Sequence, residues 1–288
     1  MIGKAVVGSI AKSGGEVWTT TRRPTGSRTN ALHFDLGAPV ELPSWVTPER
    51  AYICAARAGF QDCEEHPDDT HRVNVDGTVA IARSLLERGT FLVFLSTSAV
   101  FAGHHPAPSE SEPVSPTTEY ARQKAEAEQR LLELDSGHGR FAVVRLTKVL
   151  ASCSPTVARF LGGLTAGHRI EAYSDLYLSP TSLGSVVAAL HTIASLRSPG
   201  IHHLSGASIL SYADLARHMA RSLGCSADQV MEKPLSTSGS ELLYTPRYPN
   251  LGMQMTQAKV GIGPEAVEDV VDSVLVASRG MEDDKLLF

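Results

Sequence analysis

Short apolar runs bounded by turn residues recur through the first half of this chain, and stretches of helical periodicity separate them. Residues 16–21 (EVWTTT), 31–34 (ALHF), 51–54 (AYIC), 91–95 (FLVFL) and 141–146 (FAVVRL) are β-branched or apolar, the composition of buried strands. Between them, residues 70–88 and 119–134 repeat apolar side chains at helical spacing. Parallel strands need long crossovers, so this order predicts βαβ units: an α/β fold whose doubly wound, mostly parallel sheet is covered by helices on both faces. Residues 201–205 (IHHLS) read as one further strand returning to that sheet. Residues 211–223 read as a helix with Ser211 as its N-cap, and residues 106–118 are turn-rich enough for a long loop.

The N-terminus begins almost directly on a helix, because Ile2, Val6, Val7 and Ile10 fall on one helical face. Lys12 interrupts that apolar stretch well short of a signal-peptide core, and no apolar run approaches membrane-spanning length, so a cytoplasmic chain with no membrane partner is expected. At 288 residues there is room for one large α/β domain and an appended lobe. The net charge of -5 comes from interspersed acids and bases, with no basic stripe for a phosphate backbone, so nucleic acid is not an expected partner. Cys54, Cys63, Cys153 and Cys225 form no CxxC pair and have no histidine at zinc-ligand spacing. They read as packing residues in a reducing compartment, and no metal site is expected.

The main chemical signal is Tyr120 with Lys124, preceded by the strand-end hydroxyls Ser96, Thr97 and Ser98. Four residues apart on a helix, phenol and ammonium share a face, where the cation is expected to lower the phenol pKa and assist proton exchange. An isolated YxxxK is a weak signal, and a surface tyrosine beside a solvated lysine is its plainer reading. Here the pair follows a buried-looking strand that ends in hydroxyls and a proline-rich loop.

The segment FLVFLSTSAVFAG, followed by Glu110, Pro116 and YARQK, resembles the extended short-chain dehydrogenase/reductases. That resemblance implies a Rossmann-type fold, with Thr97, Tyr120 and Lys124 at the family's catalytic positions. It also implies cofactor contacts at Asn74 of the NVDGT helix, at the Ala55-Ala56 turn and at the Asp35-Leu36 pair beside the adenine. Further along, DLYLSPT, GIHHLSG, SYADLARHMARSLG and the Arg247-Tyr248-Pro249-Asn250-Leu251 run resemble the substrate lobe of dTDP-4-dehydrorhamnose reductases and their relatives. The implied partner is a nucleotide-sugar-like small molecule. Arg247 is then a candidate for its diphosphate and Lys148 for a substrate contact; a surface ion pair and a solvated strand-end lysine remain open for them. Homodimers are common in such families, which makes a homodimer an expectation here. The resemblance divides the chain into a cofactor-binding domain over residues 1–150, with the returning strand near 201–205, and a mainly substrate-binding lobe over residues 151–288.

Departures from the family pattern narrow the reaction. Thr97-Ser98-Ala99 lacks the carboxylate that dehydratases carry after the threonine, so dehydration is disfavoured. The second strand ends in Thr21-Arg22-Arg23 where NAD-dependent relatives carry an acid, which favours NADP(H) over NAD(H). The expected activity is NADP(H)-dependent reduction of a sugar carbonyl. A sugar-nucleotide epimerase is one alternative. A non-catalytic subunit, like the regulatory beta subunit of methionine adenosyltransferase, is the other. The family also opens on a strand and GxxGxxG, of which Gly3 matches only the third glycine. The expectation is therefore an incomplete sheet centre with neighbouring strands left unpaired, a reading frame extending upstream by about ten residues, or else weak NADP(H) binding and marginal stability.

Overall fold

The computed structural model describes residues 1–22, 30–39, 41–135, 137–237, 239 and 241–285, with side chains described through residue 279. In chain order these form α1 (Ile2–Lys12), β1 (Thr19–Thr21), β2 (Ala31–His33), β3 (Arg50–Ile53), α2 (Phe60–Glu65) and α3 (Pro67–His71). A π-helical turn (Arg72–Gly77) leads into α4 (Thr78–Glu87), β4 (Phe91–Thr97), a short 3-10 turn (Ser98–Val100), α5 (Glu119–Asp135), β5 (Phe141–Leu146) and β6 (Lys148–Leu150). Then come α6 (Pro155–Thr165), β7 (Ile170–Tyr173), β8 (Tyr177–Leu178), β9 (Pro180–Ser182), α7 (Leu183–Ser195), β10 (Gly200–Leu204) and β11 (Leu210–Ser211). The chain continues through α8 (Tyr212–Ser222), β12 (Val230–Lys233), α9 (Gln254–Val260) and α10 (Val267–Lys285). Two units result: one of residues 1–101, 113–145 and 187–202, the other of residues 102–112, 146–186 and 203–288.

The first unit is built on a four-stranded sheet in the order β10-β5-β4-β3, with β3 and β4 parallel and Ile53 opposite Phe94. β4 and β5 are buried almost throughout, as mostly apolar runs should be when both sheet faces are covered. Val79, Ile81, Leu85 and Leu86 of α4 and Ala127 and Leu131 of α5 close one core over Leu92, Phe94, Phe141 and Val143. β1 and β2 pair with each other, parallel, in a separate two-stranded sheet, so no hydrogen bonds join β1 to β3 among the described residues.

The helix anticipated over residues 70–88 is interrupted. The π turn puts one extra residue into the helical register, a feature that often marks functional segments. Its last residue shows why glycine stands there: a Cβ on Gly77 would lie 2.0 Å from the Leu36 carbonyl oxygen. Gly77→Ala should therefore lower stability by ~2 kcal/mol or more, because backbone rather than a flexible side chain would have to yield. Urea-unfolding midpoints test this, with Gly162→Ala as the control. That helical glycine has nothing within 4 Å, so its substitution should be neutral or mildly stabilising.

The second unit holds the β6–β9 and β7–β12 pairs, both parallel, and the antiparallel β8–β11 pair. Its core gathers Phe160 and Leu164 of α6, Leu215 and Met219 of α8, and Val270, Val271 and Val274 of α10. Ser211 caps α8 as anticipated. Its hydroxyl accepts from the Asp214 backbone N–H, and the Asp214 carboxylate accepts from that of Ser211, a reciprocal capping box. Among the described residues, no helix is long and apolar enough to cross a membrane, and no cluster of acids, histidines and cysteines could hold a metal ion.

Candidate active site

In the first unit, β4 delivers its hydroxyls where the sheet ends. Thr97 closes the strand in extended geometry and caps the 3-10 turn, its Oγ1 accepting from the Ala99 N–H at 3.1 Å. The capped hydroxyl keeps its own proton to donate. Beside it Ser96, 6% exposed, has a hydroxyl with no hydrogen-bond partner among the described residues.

α5 brings Tyr120 and Lys124 onto one face. Thr118 supports the helix start, its hydroxyl accepting from the Ala121 N–H at 3.3 Å. The Tyr120 ring meets Phe60 edge to face, with centroids 5.2 Å apart. Lys124 is fully buried: its Nζ donates to the Leu95 carbonyl at 2.5 Å and sits 3.8 Å from the centre of the Phe94 ring. Burial lowers the Lys124 amine to about 7, against opposing influences from Glu128 and Cys54.

The phenol departs from the sequence expectation. Burial, helped by Cys63, pushes Tyr120 up to about 12, and Lys124 is not among the causes. The amine is engaged by the sheet, at the Leu95 carbonyl and over the Phe94 ring, and burial dominates at the phenol. Tyr120 consequently holds its proton at neutral pH and is suited to donating it. Burial likewise raises Cys54, beyond the end of β3, to about 11.

The residues singled out for the cofactor fall in several places. Gly3 lies in α1 against the end of β3, where a Cβ would come within 3.3 Å of the Cys54 Cβ; a close helix-to-strand approach is the role expected of that glycine. Ala55 is exposed and Ala56 half-buried, in the loop after β3. Asn74 is buried in the π turn and saturated: its Oδ1 accepts from the Arg57 N–H at 2.7 Å, and its Nδ2 donates to the Arg57 carbonyl and the Gln123 side chain, each at 2.9 Å. It acts on that loop as a clamp joining it to α5. Asp35 is exposed and accepts from the Gly37 N–H at 2.9 Å in a local turn, while the Leu36 side chain belongs to the core. Arg22 is exposed after β1, and Arg23 lies outside the described residues.

These residues fit a dinucleotide best at its nicotinamide end. Thr97 and Lys124 retain donatable protons, and Tyr120 holds one.

In the second unit, Lys148 is exposed at the start of β6. Arg247 is exposed, its guanidinium 5.5 Å from the centre of the Tyr248 ring. The loop that presents Arg247 is fixed on both sides: the Tyr248 N–H donates to the Gly103 carbonyl at 3.0 Å, and the Gly252 N–H to the Pro108 carbonyl at 2.9 Å. Buried Glu110 anchors the following helix by accepting from the Thr256 N–H and hydroxyl, both at 2.8 Å. Burial alone would raise the Glu110 carboxyl, but these bonds outweigh it and hold it below its ordinary value.

Sequence reasoning passed over the residues that support this arrangement. Glu128, one turn beyond Lys124, and Arg145, within β5, are each 3% exposed and form a buried ion pair. Gln123, beside Lys124, donates to Thr70 and accepts from Asn74. The signals were available: four-residue spacing continues from Tyr120 through Lys124 to Glu128, and an arginine interrupts the apolar run FAVVRL.

A sheet of this topology with its helices is the fold of Rossmann-type NAD(P)-binding reductases and epimerases, in the extended short-chain dehydrogenase/reductase form. Among solved structures it is similar to dTDP-4-dehydrorhamnose reductase from Yersinia enterocolitica, at TM-score 0.80 and 19% identity, covering 95% of this chain and 96% of that one. It is also similar to MoeE5 in complex with UDP-glucuronic acid and NAD, at TM-score 0.78 and 19% identity, covering 97% and 96%. The chain belongs to the RmlD substrate-binding domain family, which matches it over residues 1–279. A dTDP-4-dehydrorhamnose reductase from Sinorhizobium fredii is 27% identical over 199 residues, which span 65% of this chain and 66% of that protein's length.

Proposed function

We propose that the chain is an NADP(H)-dependent reductase of a sugar carbonyl in a nucleotide-sugar-like substrate. The observation that supports this most is the pairing on α5 of a phenol held in its protonated form with a fully buried lysine one turn below it. When bound, a reduced nicotinamide supplies the hydride. Tyr120 donates its proton to the oxygen that becomes the alcohol, and the Thr97 hydroxyl donates a hydrogen bond to that same oxygen as charge develops on it. Lys124, in this reading, donates to the nicotinamide ribose. The cofactor side also takes Gly3, Arg22, Arg23, Asp35, Leu36, Ala55, Ala56 and Asn74, the last acting by holding its loop. Lys148 and Arg247 are assigned to the substrate, Arg247 to its diphosphate. The absence of a carboxylate after Thr97 favours reduction over dehydration.

NADPH oxidation with dTDP-4-dehydrorhamnose as the first probe, read by the fall in nicotinamide absorbance, tests the reading. One NADPH should be consumed per alcohol formed. Conversion of the probe without net NADPH consumption would point to an epimerase and overturn it.

The NADP(H) preference rests on Arg22 and Arg23. Replacing both with alanine should weaken NADP(H) by about tenfold or more and leave NAD(H) little changed, because only the former brings a 2'-phosphate to pair with a guanidinium. Equal losses in a titration of both cofactors would show that the arginines do not read that phosphate.

A further inference from the structure

We propose that Glu128, clamped by Arg145, is the positioning residue that keeps the Lys124 amine charged within the buried foot of α5. Tyr120, Lys124 and Glu128 follow at four-residue intervals and lie one above another along the helix. Lys124 and Glu128 are each 3% exposed, so the carboxylate acts on the amine with little solvent between. Arg145, from the neighbouring strand, fixes that carboxylate: its Nε donates to Oε1 at 3.2 Å and Oε2 at 3.0 Å, and its Nη2 to Oε2 at 2.7 Å. A buried carboxylate needs such a partner, and the two-pronged pairing with Arg145 supplies it.

The other titratable groups near Lys124 and its neighbours cannot take this part. Cys54 holds its proton because burial raises it to about 11, Tyr120 is raised to about 12, and Cys63 beneath Tyr120 is raised by burial as well. All three keep their protons near pH 7, and Glu128, one turn along the same helix, is the carboxylate whose charge favours the protonated amine. Burial works against charge on Lys124, and Glu128 is the first of the influences that oppose it. The consequence for catalysis rests on the reductase reading, but the charge on Lys124 does not.

The Lys124 Cε resonance, assigned by its loss in Lys124→Met, reports the amine directly when the purified chain is titrated by NMR from about pH 5 to about pH 10. Glu128→Gln should lower the titration midpoint by about one pH unit or more, and Glu128→Asp should restore most of it. Because Glu128→Gln strands a buried guanidinium and can unfold the chain, Glu128→Met with Arg145→Met serves as the second variant, replacing the pair with apolar side chains of similar length. Its midpoint should fall as well. A midpoint that stays at the wild-type value in the double variant would overturn the proposal. If instead the midpoint falls while the wild-type protein oxidises no NADPH, it is the reductase reading that fails.

Discussion

Tyr120→Phe is expected to lower the rate of carbonyl reduction by ~10²-fold or more, the scale on which a positioned general acid contributes. The substitution removes the hydroxyl and little else: phenylalanine fills the same volume and preserves the edge-to-face contact with Phe60. Cofactor affinity and the unfolding midpoint should therefore stay close to wild type, confining the loss to turnover. With the phenol raised to about 12 by burial, the wild-type protein starts with the proton in place at neutral pH, as any tyrosine at its ordinary value would. A Tyr120→Phe enzyme that kept its rate would show that another group supplies the proton.

Lys124→Met should make the protein more stable at neutral pH while abolishing its activity. In the unfolded chain a lysine holds its proton to about pH 10.5, whereas the folded protein releases it from Lys124 near 7. Between those values the unfolded chain binds more protons, so wild-type stability rises with pH. The rise should run from about pH 7 to about pH 9. Above that, Cys54, raised to about 11, keeps a proton that the unfolded chain has lost and cancels the rise, and Tyr120, raised to about 12, then turns the dependence downward. At 1.36 kcal/mol per unit, holding Lys124 buried costs roughly 4 kcal/mol at pH 7. Losing its hydrogen bond to Leu95 offsets about 2 kcal/mol of that relief. The variant should thus gain ~2 kcal/mol at pH 7, and its unfolding midpoint should lose the climb between pH 7 and 9. An identical climb in the variant would mean that other groups produce it.

The fold was legible wherever local pattern and burial agreed. β5 was read to the residue, because its mostly apolar, β-branched run is buried along its whole length and ends at turn residues. β10 was placed within a residue, and Ser211 was recognised as a cap because its hydroxyl has a local backbone partner. The π turn was not legible, since its cause is non-local: Gly77 must pass the carbonyl of Leu36, and nothing in periodicity reports that approach. At the site, Tyr120 and Lys124 were readable from spacing, but the direction of the phenol shift was not. That depended on how deeply the fold buries the phenol, a tertiary fact. Asn74 shows the opposite difficulty: a motif marked it, and only the folded loop supplies the bonds to Arg57 and Gln123 that make it a clamp.

In the proposed reaction a nicotinamide passes hydride to a sugar carbonyl while Tyr120 of the α5 pair supplies the proton. The most direct measurement is the fate of the label when NADPH deuterated at the transferring position of C4 is turned over with dTDP-4-dehydrorhamnose. Deuterium is expected on the former carbonyl carbon, one per NADPH consumed, with Tyr120→Phe slowing its appearance. Product formed without deuterium at that carbon would contradict that reaction.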